Sequence, residues 1–286
     1  MWKSQYPFES RWFKTPFAQR MHYIDVGSSF PVVMLHGNPT WSFMYRSLLA
    51  AAAQHGLRGI APDHIGCGLS DKPQDWEYTL ERHMTNLDAL INDQLRLSHF
   101  DLVVHDWGGP IGLLYAVKHP EQIRKIVLMN TLGWVTNRFP RSIHLTRIPV
   151  IGALLVRSWN LLMRKALRSC TVKSLSKEAR AGYKYPYKTY EDRIAIQRFP
   201  QDIPLKEKHP SYKTFKFLSE NLCKLKDKPI FIAWGKHDFC FPTDFLDGWK
   251  ARFPSANIKI YEEAAHLIFE DNQEEAVEDI LNFLKQ

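Results

Sequence analysis

Six short apolar runs punctuate the chain, at residues 31–35, 58–62, 101–104, 126–129, 229–234 and 257–261. Runs of this length, rich in Val, Ile, Leu and Met, suit strands buried on both faces, and strands separated by helical text pair in parallel through βαβ crossovers. Segment 79–97 supplies one such crossover: Leu80, Met84, Leu87, Leu90, Ile91 and Leu95 recur at spacings of one to four residues and fall on one helix face. These features predict an α/β fold built on an open, mostly parallel, doubly wound sheet. A chain of 286 residues, 45% of them apolar, can bury a core of that size.

The alternation fails between residues 133 and 213, where Trp/Leu-rich and Arg-rich text replaces any strand pattern. About 80 residues is too long for a structureless loop. The expectation is a helical cap over 134–213, inserted into a core formed by 1–133 and 214–286. The net charge of +8 is concentrated there: residues 134–190 hold twelve Lys/Arg against one acid, Glu178. That stretch is +11 and the remainder −3, so the basic character describes one segment and no nucleic-acid partner is expected. Two readings of the basic stretch stand. It is a solvated surface whose long side chains cover apolar helix faces. Alternatively it docks the enzyme onto an acidic partner, a further subunit of an oligomer or multi-enzyme assembly, or an anionic lipid surface, with residues 148–167 lying amphipathically against it.

Several classes drop out on composition. Cys67, Cys170, Cys223 and Cys240 are far apart and form no C-x-x-C or Cys/His pattern, which argues for buried free thiols and against a disulfide framework or a metal site. No apolar run reaches the ~18 residues that span a bilayer. The start, Met1 to Pro7, lacks the basic-then-apolar pattern of a secretory signal, so a cytoplasmic protein is expected. No Walker or G-x-G-x-x-G element follows a strand, and no cofactor is expected.

The residues with chemistry cluster after the strands. At 103–110 an apolar strand runs into Asp106-Trp107-Gly108-Gly109 and then a helical pattern over 111–118. Such an elbow lifts its tip residue, here Asp106, above the sheet. A carboxylate there is already ionised and can attack an electrophilic carbon without a base, giving an enzyme ester. Capping of the following helix is the competing reading of Asp106 alone. An ester must be hydrolysed, and His266, just after the last strand, stands where open sheets place their ligands. Asp238, after the penultimate strand, completes the order nucleophile, acid, histidine and would orient the imidazole. The other slot for that acid, at the end of the 126–129 strand, holds Asn130, which cannot ionise. Asn38, after the first buried strand, offers a side-chain amide and a backbone N–H, and Trp107 an indole N–H and a backbone N–H. Donors without a cation suit a soft leaving anion.

The motifs His-Gly-Asn-Pro-Thr-Trp at 36–41, Pro-Asp-His-Ile-Gly-Cys-Gly-Leu-Ser-Asp-Lys-Pro at 62–73 and His-Asp-Trp-Gly-Gly at 105–109 resemble those of the haloalkane dehalogenases. The resemblance extends to Arg-Phe-Pro-Gln-Asp-Ile-Pro at 198–204, Trp-Gly-x-x-Asp at 234–238 and Ala-x-His at 264–266, and so covers nearly the whole chain. It implies an α/β-hydrolase with Asp106 as nucleophile, His266 as base, and Asn38 and Trp107 holding a departing halide ion, acting on a small apolar substrate. An acid at the position of Asp238, paired with an Asn/Trp halide site, resembles the third subfamily. Sequences of that subfamily are also similar to the β-lactone decarboxylases of olefin biosynthesis, which share the Asp nucleophile. Epoxide hydrolases use the same nucleophile with cap tyrosines as acids, for which Tyr183, Tyr185, Tyr187 and Tyr190 are candidates.

Overall fold

The computed structural model describes residues 2–286, with the side chains of Arg141 and Ser142 excepted; Met1 and the Arg141 contribution to the basic segment lie outside the described residues. Eight strands form one sheet: β1 (Arg11–Lys14), β2 (Arg20–Val26), β3 (Phe30–Leu35), β4 (Leu57–Pro62), β5 (Phe100–His105), β6 (Ile123–Met129), β7 (Ile230–Gly235) and β8 (Asn257–Tyr261). Their order is β1-β2-β4-β3-β5-β6-β7-β8, parallel from β4 to β8 and antiparallel at β1 and β2. All six apolar runs are strands of the parallel part. Successive residues of one strand enter opposite cores: Val33 and Leu35 pack on one side of the sheet with Leu102 and Val104, while Val32, Met34 and Val103 pack on the other. Burial on both faces explains why these strands read as continuous apolar runs.

The antiparallel strands β1 and β2 left no such signature. Three of the four β1 residues are exposed, and buried His22 interrupts the apolar text of β2. A polar partner makes that burial tolerable: His22 Nδ1 lies 2.8 Å from Asp63 Oδ2. The helix expected over 79–97 begins at Leu80, with the Thr79 hydroxyl capping the Arg82 N–H, and passes at Leu90–Gln94 into a π-helical turn.

Between β6 and β7 the described residues contain helices and no strand: Arg141–Thr146, Pro149–Gly152, Leu161–Ser169, Lys177–Lys184, Ile194–Gln201 and Tyr212–Asn221 among them. The continuous amphipathic stretch expected over 148–167 is broken into three pieces, Pro149–Gly152, a π-helical turn at Ala153–Ser158, and Leu161–Ser169. Asn160 sits at a φ of 53°, in the left-handed region that ends helical turns, and separates the last two. The Tyr183 hydroxyl ties this segment to a largely buried ion pair of the sheet-bearing part of the chain. Arg46 makes two hydrogen bonds to Glu270, at 2.6 and 3.0 Å, and the Tyr183 hydroxyl donates to the same carboxylate at 2.7 Å. Loss of either charged partner would strand the other in a buried site, at a cost of about 3–5 kcal/mol.

Of the four free cysteines, Cys67 and Cys170 are buried and Cys240 is half-buried, but Cys223 is exposed. The reading of all four as buried thiols is corrected for Cys223, which lies in the short 3-10 turn Leu222–Leu225, where Leu222 and Leu225 take the buried side.

Candidate active site

Asp106 stands between β5 and the helix Gly108–Lys118, at a φ of 50°. This left-handed conformation is better tolerated by Asp than by most residues and marks a sharp strand-to-helix elbow. Two glycines make the elbow possible. A Cβ on Gly108 would come within 2.0 Å of the Leu35 carbonyl oxygen, and one on Gly37 within 2.1 Å of Asp106 Oδ1. Main-chain bonds pin the tip: Asp106 N donates to the Asn130 carbonyl at 3.2 Å, and the Thr131 hydroxyl donates to the Asp106 carbonyl at 2.6 Å. The elbow does lift the side chain above the sheet, but the helices over it leave Asp106 only 8% exposed.

The two carboxylate oxygens are in different surroundings. Oδ1 accepts the Asn38 backbone N–H at 2.6 Å, and the Trp107 backbone N–H also bonds the carboxylate. Oδ2 lies 3.8 Å from His266 Nε2. Burial raises the Asp106 pKa; the positive field of His266 and the two backbone N–H groups oppose it, and the net shift is upward.

His266 follows β8 and precedes the short helix Ile268–Asp271. Its Nδ1 is 2.7 Å from Asp238 Oδ2; since a carboxylate only accepts, Nδ1 carries a proton, and Nε2 faces Asp106. Burial pulls the His266 pKa down, but the Asp238 carboxylate, through its charge and its hydrogen bond, and the charge of Asp106 together outweigh it, so the net shift is upward. The loop is held from below and above. His105 donates its Nε2–H to the His266 carbonyl at 2.8 Å, its ring 4.3 Å from that of His266, and Phe241 stacks on the other side at 5.8 Å. Asp271 accepts from Ala265 N and also from Val172 N and Lys173 N, tying the histidine loop to the helical segment.

The structure brings all five sequence-predicted residues together: Asn38, Asp106, Trp107 and His266 line one cavity, with Asp238 directly behind His266. It also supplies a residue that sequence reasoning set aside. Asn130 donates to Asp238 Oδ2 at 2.9 Å while its Oδ1 accepts the Gly235 N–H at 2.8 Å. The slot at the end of β6 therefore contributes to the setting of Asp238 without itself carrying a carboxylate. The signal was its position, level with the elbow in the neighbouring strand; only the demand for a carboxylate hid it. The other Asp238 oxygen accepts the Cys240 N–H at 2.7 Å.

The cavity walls are mostly apolar, among them Leu132, Phe139, Ile143, Leu162, Phe215 and Phe241, and among the described residues no Lys or Arg lines it. A site of this character takes an apolar small molecule.

Comparison with known proteins agrees with this geometry. Residues 31–273 match the α/β-hydrolase fold family. The chain is 37% identical to a cis-3-alkyl-4-alkyloxetan-2-one decarboxylase of Shewanella oneidensis, over 98% of this chain and 89% of that protein. It is 31% identical to haloalkane dehalogenase 2 of Mycobacterium bovis, over 93% of this chain and 91% of that protein. The solved haloalkane dehalogenase DatA of Agrobacterium tumefaciens superposes with a TM-score of 0.84 at 27% identity, covering 96% of each chain. With its elbow aspartate and its eight-stranded sheet, the chain belongs to the α/β-hydrolase family, as an enzyme of the haloalkane dehalogenase-like kind.

Proposed function

We propose that the protein is a haloalkane dehalogenase-type hydrolase in which Asp106 is the nucleophile, His266 the base and Asp238 the acid that orients it, beneath a cap formed by residues 134–213. The observation that carries this reading is the asymmetry of the Asp106 carboxylate: Oδ1 accepts the Asn38 backbone N–H at 2.6 Å while Oδ2 lies 3.8 Å from His266 Nε2. Oδ2 attacks the carbon bearing the halogen, and halide leaves with the bonding pair. Esterification removes the Asp106 charge, one of the causes that raise the His266 pKa, so the imidazole holds a proton less firmly at the step that needs a base. It takes a proton from water as the oxygen attacks Asp106 Cγ, and Asp238 stabilises the imidazolium. The oxyanion falls on Oδ1, in front of the Asn38 backbone N–H; as it collapses, the His266 imidazolium gives its proton to the departing alkoxide, alcohol leaves, and the re-formed Asp106 carboxyl releases its proton to solvent. We assign the enzyme to the cytoplasm, where its four free cysteines stay reduced.

With the Asn38 backbone N–H occupied by Oδ1, the side chains of Trp107 and Asn38 serve the leaving halide. Trp107 lines the cavity, and Asn38 Nδ2 uses one N–H on the Ile196 carbonyl at 3.3 Å, leaving the other free. Chloride, bromide or iodide should therefore quench part of the fluorescence of the nine tryptophans, and Trp107→Phe should remove that response. An unchanged quench in the variant would move the halide site elsewhere. None of the four candidate tyrosines lines the cavity, which removes the acid an epoxide opening needs.

A second reading, β-lactone decarboxylation, is favoured by the 37% identity to the Shewanella decarboxylase, above the 31% to the dehalogenase. There Oδ2 would attack the ring carbon bearing oxygen, and the freed carboxylate would leave as carbon dioxide while its electron pair forms an alkene and expels Asp106. That sequence consumes no water. Single turnover in ¹⁸O-water, with halide and carbon dioxide both measured, separates the two. Halide release with label in Asp106 supports hydrolysis; carbon dioxide release from a dialkyl β-lactone with no label, and no halide from bromoalkanes, overturns it.

A further inference from the structure

Seven of the twelve exposed large apolar residues among the described residues fall between Leu145 and Leu161. Val150 is 81% exposed and Trp159 51%, with Ile151 and Leu154 close behind. A cluster of this kind on an otherwise ordinary surface marks a contact with something apolar. We propose that this face docks the enzyme onto the surface of an anionic lipid membrane and draws its apolar substrate from there.

Charge and direction select lipid as the occupant. On helix Leu161–Ser169 the exposed positions are Leu161, Arg164 and Arg168 with the terminal Ser169, while Leu162, Met163, Ala166 and Leu167 are buried. Apolar and basic groups thus share one outward face, and neither Arg164 nor Arg168 has an ion-pair partner among the described residues. Residues 134–190 carry a single acid, so nothing on the segment opposes approach to an anionic surface. Outward apolar side chains beside unpaired arginines, with an exposed Trp, match the chemistry of the interfacial region of a bilayer. The same helices wall the cavity from the other side: Ile143, on Arg141–Thr146, and Leu162 and Ala166 line it. An apolar molecule leaving the bilayer therefore meets the cavity one helix thickness away. The substrate half of this inference rests on the apolar-substrate reading of the site; docking does not.

Flotation with phosphatidylcholine vesicles, with and without phosphatidylglycerol, tests docking directly. The native chain should bind the anionic vesicles, and binding should weaken as the Debye length shrinks from ~10 Å at 0.1 M salt to ~3 Å at 1 M. Arg164→Gln with Arg168→Gln should weaken binding about 25-fold, at ~1 kcal/mol for each basic group near an anionic leaflet. Val150→Ser with Ile151→Ser and Leu154→Ser should abolish it; these side chains are exposed or half-buried, and an unchanged melting temperature establishes that each variant is folded. Asp106→Ala should bind as the native chain does, which separates docking from the catalytic reading. No binding to anionic vesicles, or equal binding by both surface variants, overturns the proposal. Salt-sensitive self-association lost in the same variants without vesicle binding also overturns it, in favour of a second copy.

Discussion

Asp106→Ala should lower turnover by at least about 10⁴-fold, the order seen when a covalent nucleophile is removed. Among the described residues nothing else in the site can take over: the cavity lining holds no Ser, Lys or further carboxylate near His266, and the two lining thiols, Cys170 and Cys240, are pushed well above the ordinary thiol range by burial and by the charges of Asp238 and Asp106. The stability of the variant carries independent information through its pH trend. The Asp106 pKa is raised in the folded state, so across the window above the ordinary carboxylate value the folded chain holds more proton than the unfolded one, and stability falls as pH rises. The raised His266 pKa acts in the same direction: its contribution is present at low pH and lost as pH rises through the folded value. Both effects shrink when Asp106 is removed. Alanine at a φ of 50° is strained about equally at every pH, so the melting-temperature difference should shift in the variant's favour from pH 5 to pH 8. Residual activity above a few per cent of native, or a flat difference in melting temperature, would count against a buried ionised nucleophile.

The sequence made the parallel strands and the order of the candidate site residues legible for the same reason. Strands buried on both faces must be apolar throughout, and an open sheet presents its chemistry where those strands end, so Asp106, Asp238 and His266 each follow an apolar run. What stayed hidden depends on partners distant in sequence. Strand β2 is readable only once His22 is known to meet Asp63, 41 residues away. Asn130 gains its place from Asp238, 108 residues on, and the clamp of Arg46 on Glu270 spans 224. The basic segment was legible as a charge excess but not as a shape: composition could not show that Asn160 breaks the helical run or that Val150 and Trp159 face outward.

His266→Ala separates the two chemical steps and tests the central claim most directly. The variant should keep its fold around the acid, because Asp238 retains the Asn130 amide at 2.9 Å and the Cys240 N–H at 2.7 Å. Ester formation needs only Oδ2 of Asp106 and a carbon bearing a leaving group, so a bromoalkane should release about one equivalent of bromide per enzyme and then stop. Without a base to activate water, steady turnover should fall by about 10³-fold or more. Intact-mass and peptide-mass spectra taken after the burst should show one alkyl group replacing one proton, carried by the peptide that contains Asp106. An inactive variant with no bromide burst and no adduct, or one that turns over at the native rate, would contradict a mechanism in which Asp106 forms the ester and His266 releases it.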